Sequence, residues 1–570
     1  MNLTEKKFDG VWVRYDGENA EIGYTTIPQK MRALTLLRMK TEKENVPFTT
    51  EEHPVFDLCG PMVDMSRGGV MTVEAVCRFL DKIASLGMNM MMLYTEDTYE
   101  VENYPTFGYM RGRYSPAELR AIDDYAASLG IEVIPCIQTL GHLLKFTRWK
   151  TVPSDVPGVL LAGDEEVYRL ITAEIRAVRS AFRSNRIHLG MDEAQGMALG
   201  EYRKQHGEKP PLDVFNAHLR RVREIAHSFG YTPMIWTDMY YSESKESSYE
   251  QRDCTIPASA IAGAPEDVGL VFWDYYQTDY DFYDRKWKQQ ERFPNEKIFG
   301  GGLWTWDGFL PNFRYSYETM SPALLCAIDH GVRTVIATMW GNDGTETNME
   351  SAASLLPIFS EYQYRGKSCT LDEIYEMAEF ISGESRAVLD AVSAFHLGYE
   401  GAVRMGKNLV YTDLFLNRDG ADVDYAAEAE KLRAALAVLR EAKPTEFLAY
   451  YCAAFTAALR RCEILEKLRP AYLAKDRKTL ADIADRQIPA LKTADDGLYR
   501  ALMQHWQTTY KVFGSEIFAY RFGGMEKRLD EQAERIGRYL SDGTPIPELE
   551  EERIRGVQST WRCFEDFTVL

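Results

Sequence analysis

Two adjacent carboxylates close the run His188-x-Gly190-x-Asp192-Glu193. Neighbouring side chains of a regular strand point to opposite faces, so both can serve one pocket only where the strand ends and the backbone bends. Two carboxylates held close together raise each other's proton affinity, which keeps one of them neutral as an acid. The pair therefore predicts general acid–base chemistry, whereas its plainer alternative role is to cap the next helix.

Aromatic and polar residues follow the ends of other apolar runs in the same way. They are Asp64, Arg67, Tyr94, Glu96, Asp97, Gln138, His142, Trp236, Asp238, Trp273, Asp274, Tyr275, Tyr276, Trp304, Trp306, Asp307, Trp340 and Asn342. A sugar ring needs this mixture, because its C–H faces stack on aromatic planes while its hydroxyls bond to carboxylates, amides and Arg. Core packing gives no reason to put indoles beside carboxylates, so the pattern predicts a carbohydrate site.

The elements that must position these residues repeat along the first 350 residues. An amphipathic stretch ends at a glycine and a short apolar run follows at once, as at Gly87, Gly130, Gly230 and Gly331. Eight such runs, joined by helices, are typical of parallel strands buried on both faces. The count predicts an α/β fold with a (β/α)8 TIM barrel, whose sites lie at the carboxyl ends of the strands. A doubly wound sheet is the alternative, but no G-x-G-x-x-G opens a helix after the first run.

The pattern changes to long helical stretches after Pro357. Segments such as DYAAEAEKLRAALAVLREAK have helical spacing and few strand-like runs. We therefore divide the chain into a short N-terminal segment at 1–50, a catalytic barrel at 51–360 and an all-α C-terminal domain at 361–570. For the N-terminal segment we expect short strands or a cap at the closed end of the barrel.

Composition limits the partners and the compartment. The chain has 86 acidic and 66 basic side chains and a net charge of −20, which argues against nucleic acid and anionic membranes. It has neither an apolar run of membrane-spanning length nor a signal-peptide pattern in MNLTEKKFDGVW. Its nine cysteines include no C-x-x-C pair and its histidines no H-x-x-x-H pair. We predict a cytoplasmic protein without metal or cofactor, whose helical domain offers a surface for a homodimer.

The run H-x-G-x-D-E resembles the signature of glycoside hydrolase family 20, the β-N-acetylhexosaminidases. The segment DMSRGG is similar to the family's first-strand segment, and by this resemblance Arg67 grips the C3 and C4 hydroxyls of the sugar. Gly141-His142 is similar to the end of the family's D-x-P-G-H segment. Trp236, the tyrosines of WDYY and the tryptophan of GGLWTWDG resemble the walls and the tyrosine of the family's pocket. A helical C-terminal domain without a family-type N-terminal domain resembles a bacterial subgroup.

The resemblance implies an exo-acting enzyme that releases terminal β-linked GlcNAc or GalNAc from a small carbohydrate substrate and retains the anomeric configuration. Glu193 would protonate the glycosidic oxygen and later activate water, while the 2-acetamido oxygen of the substrate attacks C1. Asp192 would orient the acetamido N–H and stabilise its positive charge. Tyr275 or Tyr276 would donate a hydrogen bond to the acetamido oxygen, and either register fits the sequence.

The chain departs from the family pattern at three places. Gln138 stands where the family usually has the Asp that pairs with its histidine, and Leu140 replaces a Pro. The family's Trp-x-Glu, which binds the C4 and C6 hydroxyls, has two partial counterparts here. These are Trp306-Asp307 and Trp340-Gly341-Asn342, and both remain candidates.

Two other functions compete with this hypothesis. One is a retaining β-glycosidase whose nucleophile lies on another strand, at Asp238 or Asp274. The other is a catalytically inactive carbohydrate-binding barrel, which the intact Asp192-Glu193 pair disfavours.

Overall fold

A closed barrel of eight parallel strands forms the centre of the molecule. The computed structural model describes residues 2–241, 255–306, 308–396, 405–417 and 421–555. The barrel strands, in chain order, are Leu58–Asp64, Met90–Tyr94, Glu132–Cys136, Arg186–His188, Thr232–Trp236, Gly269–Trp273, Lys297–Gly302 and Thr334–Met339. The eighth strand pairs in parallel with the first, from Thr334 with Leu58 to Met339 with Val63. The TIM barrel predicted from the sequence is therefore confirmed.

Helices follow the barrel strands and cover the outside of the barrel. The main ones are Val73–Ser85, Pro116–Ser128, Glu165–Ala181, Pro211–Ser228, Ala258–Gly263, Tyr280–Gln290, Phe313–Asp329 and Pro357–Arg365. Ser115 caps the second of them: its side chain accepts from the N–H of Glu118, whose carboxylate accepts from the N–H of Ser115 at 2.8 Å. Gly87 and Gly130 follow their helices with φ of +77° and +71°, the left-handed conformation that glycine adopts at least cost.

Short helices and a hairpin lie in the loops above the barrel strands. They are Leu144–Thr147, Ser154–Val156 paired with Val159–Leu160, Glu201–His206, Asp238–Tyr241, Asn342–Thr345 and Ser351–Leu355. These loops follow the carboxyl ends of the strands, where barrel enzymes carry their sites.

The N-terminal segment forms a small α/β layer. Its strands Leu3–Lys7, Val11–Tyr15, Ala20–Tyr24 and Phe48–Glu52 form one sheet in the order 1-3-2-4, and the helix Ile27–Lys43 precedes the last of them. Arg32 of this helix is buried, with its guanidinium 2.6 Å from Glu52 and 2.7 Å from Glu361. Because Glu361 belongs to the last barrel helix, this buried ion pair joins the layer to the barrel.

Beyond the barrel the described chain is helical. The elements are Gly366–Ser368, Leu371–Ser382, Arg386–Ser393, Met405–Tyr411, Tyr425–Glu441, Leu448–Leu473, Arg477–Asp482, Ile483–Gln487, Ile488–Thr509, Glu516–Asp542 and Pro547–Glu550. This is the all-α domain that the sequence predicted. Within the described ranges, no helix combines the length and the apolarity needed to cross a membrane.

Apolar side chains fill the interior of the barrel beneath the site. Met62, Met90, Met92, Ile134 and Met234 are almost fully buried and belong to one cluster. Rings at the strand ends complete the same cluster: Tyr94, Trp236, Tyr275, Trp304, Trp306 and Trp340. The barrel is thus a packed core whose upper layer is aromatic.

Candidate active site

An open pocket of about 460 Å³ lies at the carboxyl ends of the barrel strands. Its lining residues are Arg67, His142, Asp192, Glu193, Trp236, Trp273, Tyr275, Tyr276, Trp306, Trp340 and Asn342. They include every residue to which the resemblance gave a catalytic or substrate-binding role, except Asp307, which lies outside the described residues. The fold therefore brings together side chains that are up to 275 positions apart in the chain.

The backbone bends sharply where the fourth barrel strand ends at His188. Gly190 and Met191 both have a φ of +71°, and Glu193 has a φ of +45°. Each non-glycine residue in this left-handed region costs about 1–3 kcal/mol. A Cβ at Gly190 would lie only 2.1 Å from Oε1 of Gln138, so glycine is required there. The bend buries the side chain of Asp192 and leaves that of Glu193 45% exposed, so the two carboxylates meet different surroundings.

Asp192 has a close partner for each of its oxygens. Nε2 of Gln138 donates to Oδ1 at 2.8 Å, and Nε2 of His142 lies 3.0 Å from Oδ2. Burial raises the pKa of Asp192, but the charge of His142 and the bonds from both partners outweigh burial, so the net shift is downward. Asp192 is therefore a buried carboxylate that is ionised.

His142 lies between the two carboxylates. Its Nε2 is 3.4 Å from Oε2 of Glu193 as well as 3.0 Å from Asp192. Burial lowers the pKa of His142, but the charge of Asp192 and the bonds to both carboxylates raise it to about 10. The imidazole is thus a cation at neutral pH. Gln138 donates to Asp192, and the hydrogen bonds described for it do not include one to this histidine.

Asp238 supports the backbone of Glu193. Its Oδ2 accepts from the N–H of Glu193 at 2.8 Å, and its Oδ1 accepts from Nε1 of Trp273 at 3.4 Å. Burial and the nearby charge of Asp192 raise the pKa of Asp238. The sequence predicted Asp238 as a polar residue at a strand end and as a rival nucleophile, but no motif signals its bond to a backbone N–H 45 residues away.

Asp274, the other rival nucleophile, is held by its own loop. It accepts from the N–H of Tyr276 at 3.0 Å and from the hydroxyl of Tyr283 at 3.0 Å. Burial raises its pKa to about 6 despite these bonds. Asp274 does not line the pocket.

Aromatic rings form one wall of the pocket. Tyr275 is 5% exposed, stacks on Trp273 at 5.2 Å and meets Trp306 edge to face at 5.4 Å. Trp304 stacks on Trp306 at 4.4 Å and donates from Nε1 to the carbonyl of Tyr275 at 3.0 Å, outside the pocket lining. Tyr276 is half-buried. Tyr275 is therefore the more firmly packed of the two tyrosines.

A second wall joins the first barrel strand to the eighth. Arg67 donates from NH1 to Oδ2 of Asp64 at 3.0 Å, and the same oxygen accepts from the N–H of Gly341 at 2.9 Å. The guanidinium lies 5.1 Å from the ring centre of Tyr94 and 4.9 Å from that of Trp340. Such cation–π geometry holds the plane of the guanidinium while its remaining N–H groups stay available.

Tyr94 connects this wall to the carboxylates. Its hydroxyl accepts from Nε2 of Gln138 at 3.0 Å and lies 3.5 Å from NH2 of Arg67. Glu96 is buried, with Oε1 3.7 Å from NH2 of Arg67, whereas Asp97 pairs with Arg111 at 2.5 Å. The sequence named Tyr94 as a residue that could reach the pocket, but only the fold shows its bond with Gln138. Within the described ranges, no group of three His, Cys, Asp or Glu side chains is arranged to hold a metal ion.

Family models match two parts of the chain. The model for the catalytic domain of glycosyl hydrolase family 20 matches residues 56–277, and that for a glycoside hydrolase 20C C-terminal domain matches residues 402–561. Hexosaminidase D of Homo sapiens is 26% identical over 220 residues, which are 37% of this chain and 43% of that protein. Hexosaminidase D of Bos taurus is 28% identical over 204 residues, 34% of this chain and 55% of that protein. The chain thus spans about half the length of these relatives.

Solved structures share the fold. A structure described as a β-N-acetylhexosaminidase superposes with a TM-score of 0.52 and 15% identity over 66% of this chain and 90% of its own. The β-N-acetylhexosaminidase of Bacteroides fragilis NCTC 9343 superposes with a TM-score of 0.50 and 18% identity, over 65% and 81% of the two chains. At such identities the likeness extends to the fold alone.

Proposed function

The chain belongs to glycoside hydrolase family 20, and from this premise we propose that it is an exo-acting β-N-acetylhexosaminidase. The reaction is retaining and substrate-assisted, and it releases terminal β-linked GlcNAc or GalNAc. The observation that carries the proposal is the cluster of Asp192, His142 and Glu193 beside an aromatic wall. It combines one buried carboxylate that stays ionised with one that is open to the pocket mouth.

Glu193 acts as the general acid and then as the base. Its side chain is partly exposed at the rim, where a glycosidic oxygen and later a water molecule have access. It protonates the leaving oxygen while the acetamido oxygen of the substrate attacks C1, and in the second step it takes a proton from water. Nε2 of His142 lies 3.4 Å from Oε2 of Glu193 and keeps this carboxyl beside the other two members of the cluster.

Asp192 stabilises the cationic intermediate. As the acetamido oxygen bonds to C1, positive charge develops on the oxazolinium ring and its N–H becomes a strong donor. A buried carboxylate that is already ionised stabilises this charge without reorganisation of solvent. Gln138 and His142 hold its two oxygens and so keep the carboxylate in one orientation.

Tyr275 donates to the acetamido oxygen, in preference to Tyr276. Burial raises the pKa of its hydroxyl, so the group stays protonated and can donate throughout the working range. Packing against Trp273 and Trp306 keeps the ring in place. Trp236, Trp306 and Trp340 offer faces for the sugar ring.

Arg67 and Asn342 bind sugar hydroxyls from the second wall. Both line the pocket, and Arg67 keeps N–H groups free beside the ring of Trp340. Trp340-Gly341-Asn342 is thereby supported as a counterpart of the family's Trp-x-Glu. Trp306-Asp307 remains the second candidate for this role. Trp306 lines the pocket, and Asp307 lies outside the described residues.

The remaining parts of the proposal concern the surroundings of the enzyme. The seven cysteines in the described ranges are free thiols, which is consistent with a cytoplasmic protein. The substrate is the only small-molecule partner that we propose, with no metal or cofactor and no nucleic acid or membrane. The helical domain is the surface through which two copies would form a homodimer.

A two-carboxylate retaining mechanism is the rival that needs a test. Asp238 already accepts from the N–H of Glu193, and its raised pKa works against a role as an ionised nucleophile. Turnover of the nitrophenyl β-glycosides of glucose and N-acetylglucosamine, with inhibition by a thiazoline mimic of the oxazolinium, separates the possibilities. We expect cleavage of the N-acetylglucosaminide alone, with inhibition. Equal turnover of both sugars without inhibition would favour the rival, and no turnover would favour a binding protein.

A further inference from the structure

A short segment of the helical domain inserts beside the pocket wall that carries Arg67. It covers residues 508–514, from the last turn of the helix Ile488–Thr509 to the turn before the helix Glu516–Asp542. The N–H of Thr72 donates to the carbonyl of Thr509 at 2.9 Å, and the N–H of Lys511 donates to the carbonyl of Val70 at 2.8 Å. These backbone bonds form an antiparallel bridge between Met71 and Tyr510. The loop that follows the first barrel strand is therefore paired with the helical domain.

Glycines allow the segment to come this close. A Cβ at Gly514 would lie 2.2 Å from the carbonyl oxygen of Gly68, and one at Gly69 would lie 2.8 Å from the ring of Tyr510. Gly68 and Gly514 also have φ of +124° and +91°. The contact thus depends on the absence of side chains on both partners.

The same segment holds the loop that follows the eighth barrel strand. The N–H of Met349 donates to the hydroxyl of Tyr510 at 2.8 Å. Nδ2 of Asn348 donates to the hydroxyl of Thr509 at 2.9 Å. Tyr510 is 3% exposed, so loss of its hydroxyl would leave a buried N–H without this partner.

Glu346 is a second anchor of that loop, only four residues after Asn342. Its carboxylate is fully buried and accepts from Nζ of Lys407 at 2.5 Å, from the hydroxyl of Tyr411 at 2.9 Å and from NH1 of Arg521 at 2.9 Å. These three donors belong to the helical domain. A buried carboxylate with three donors is bound in one position, because any displacement would leave charges unpaired.

The two anchored loops are also bonded to each other. The hydroxyl of Thr345 accepts from the N–H of Gly69 at 3.0 Å and donates to the carbonyl of Arg67 at 3.3 Å. Asp64 bridges the guanidinium of Arg67 and the N–H of Gly341. A displacement of either loop is therefore transmitted to the side chains that line the pocket.

We infer that Tyr510 and Glu346 are positioning residues, through which the helical domain sets the substrate-binding wall formed by Arg67, Trp340 and Asn342. The inference rests on the proposed function for its substrate but not for its geometry. The loops that carry the carboxylates have other supports: Nε2 of His218 donates to the carbonyl of Thr139, and Asp155 accepts from the N–H of Gly200. Both of these supports belong to the barrel.

Kinetics of two single variants test the inference. Glu346→Gln removes the charge that holds Lys407 and Arg521, and Tyr510→Phe removes one hydroxyl and keeps the ring. Because binding to hydroxyls is similar in ground state and transition state, we expect KM to rise about tenfold for Glu346→Gln and about threefold for Tyr510→Phe, with kcat within about twofold of wild type. Asp495→Asn, which breaks the buried pair with Arg461 inside the same domain, is the matched control and should leave KM unchanged.

Hydrogen exchange and a double-mutant cycle distinguish a positioning role from a general contribution to stability. We expect faster exchange at the amides of Gly69, Gly341 and Met349 in both variants and not in the control. In an Arg67→Lys background, Glu346→Gln should raise KM by less than about threefold, because the positioned group is already altered.

A lower Tm with wild-type KM and wild-type exchange in both loops would overturn the inference. If wild type cleaves no N-acetylglucosaminide, the proposed function fails, and the exchange measurement still decides for or against positioning. If Glu346→Gln does not fold, Tyr510→Phe alone provides the same comparison.

Discussion

Besides the aromatic wall, the site has two other walls that differ in what holds them. The carboxylate wall, defined as His142, Asp192, Glu193 and Asp238, is held by bonds among barrel residues such as Gln138. The recognition wall, defined as Arg67, Trp340 and Asn342, lies on two loops that the helical domain contacts. The difference teaches that substrate recognition can be altered through an added domain, because the described bonds that hold the carboxylates come from barrel residues.

A second contrast lies within the carboxylate wall. Asp192 and Asp238 are almost equally buried, at 7% and 6% exposure, yet their pKa values shift in opposite directions. Burial alone would raise both. The pKa of Asp192 is lowered because a histidine cation and an amide contact its oxygens. Asp238 accepts only from neutral groups, a backbone N–H and an indole N–H, among the bonds described for it, and the nearby charge of Asp192 raises its pKa further. Partners, and not depth, decide which carboxylate is ionised.

The largest expected effect is at Glu193. Glu193→Gln cannot transfer a proton, so kcat/KM for an alkyl N-acetylglucosaminide should fall by about 10²–10⁴-fold, and less for a nitrophenyl glycoside whose leaving group needs little protonation. Rates for both substrates give the ratio. Glu208→Gln, an exposed change, serves as the control. Unchanged rates with the alkyl substrate would remove Glu193 from the role of acid.

The second-largest loss of rate is expected for Asp192→Asn. A neutral amide cannot stabilise the oxazolinium charge, so we expect kcat for the nitrophenyl N-acetylglucosaminide to fall by about 10²–10³-fold. Asp238→Asn is the matched comparison because it changes an equally buried carboxylate, whose bonds within the described residues are to the backbone N–H of Glu193 and to an indole. A similar loss for both would show that the carboxylate wall acts as one unit and not through Asp192.

A smaller effect is expected on the recognition wall. Arg67→Lys keeps the charge but loses the planar fork of donors, so KM should rise about tenfold while kcat changes little. Steady-state kinetics on the same substrate measure both constants. A fall in kcat at unchanged KM would mean that the two walls do not divide chemistry from recognition.

The smallest effect concerns stability as a function of pH. The pKa of Asp238 is raised in the folded state, so unfolded chains release this proton at lower pH than folded ones. Its contribution to stability is fully present below the ordinary carboxyl pKa and is lost as pH rises through the raised value. Asp238→Asn removes this loss, so Tm of the variant minus Tm of wild type should increase by a few degrees between pH 4 and pH 9. A difference that stays constant would contradict the shift.

His142 also contributes stability that is lost as pH rises, but over a higher pH range than Asp238. Its pKa of about 10 lies above the value in an unfolded chain, so its pair with Asp192 stabilises the fold below about pH 6.5, and that contribution is lost as pH rises through 10. The histidine is present in both proteins, so its contribution cancels to first order when Tm of wild type is subtracted from Tm of the Asp238 variant.

Much of the fold follows from local signals in the sequence. The capping box at Ser115 and the glycines after the barrel helices mark where helices begin and end, and the structure has them there. Apolar runs mark the strands because both faces of a barrel strand are buried. Residues at strand ends share one rim in any such barrel, which is why the predicted pocket residues converge.

Bonds between residues distant in sequence were decided only by the tertiary structure. The contact of Gln138 with Asp192, the bond from the N–H of Glu193 to Asp238 and the choice of Tyr275 as the more buried tyrosine all depend on how loops bend above the barrel. Residue types and spacing determined the barrel, the helical domain and the identity of the rim residues, since those depend on periodicity. The approach of residues 508–514 to the recognition wall depends on packing between two domains, which no local pattern encodes.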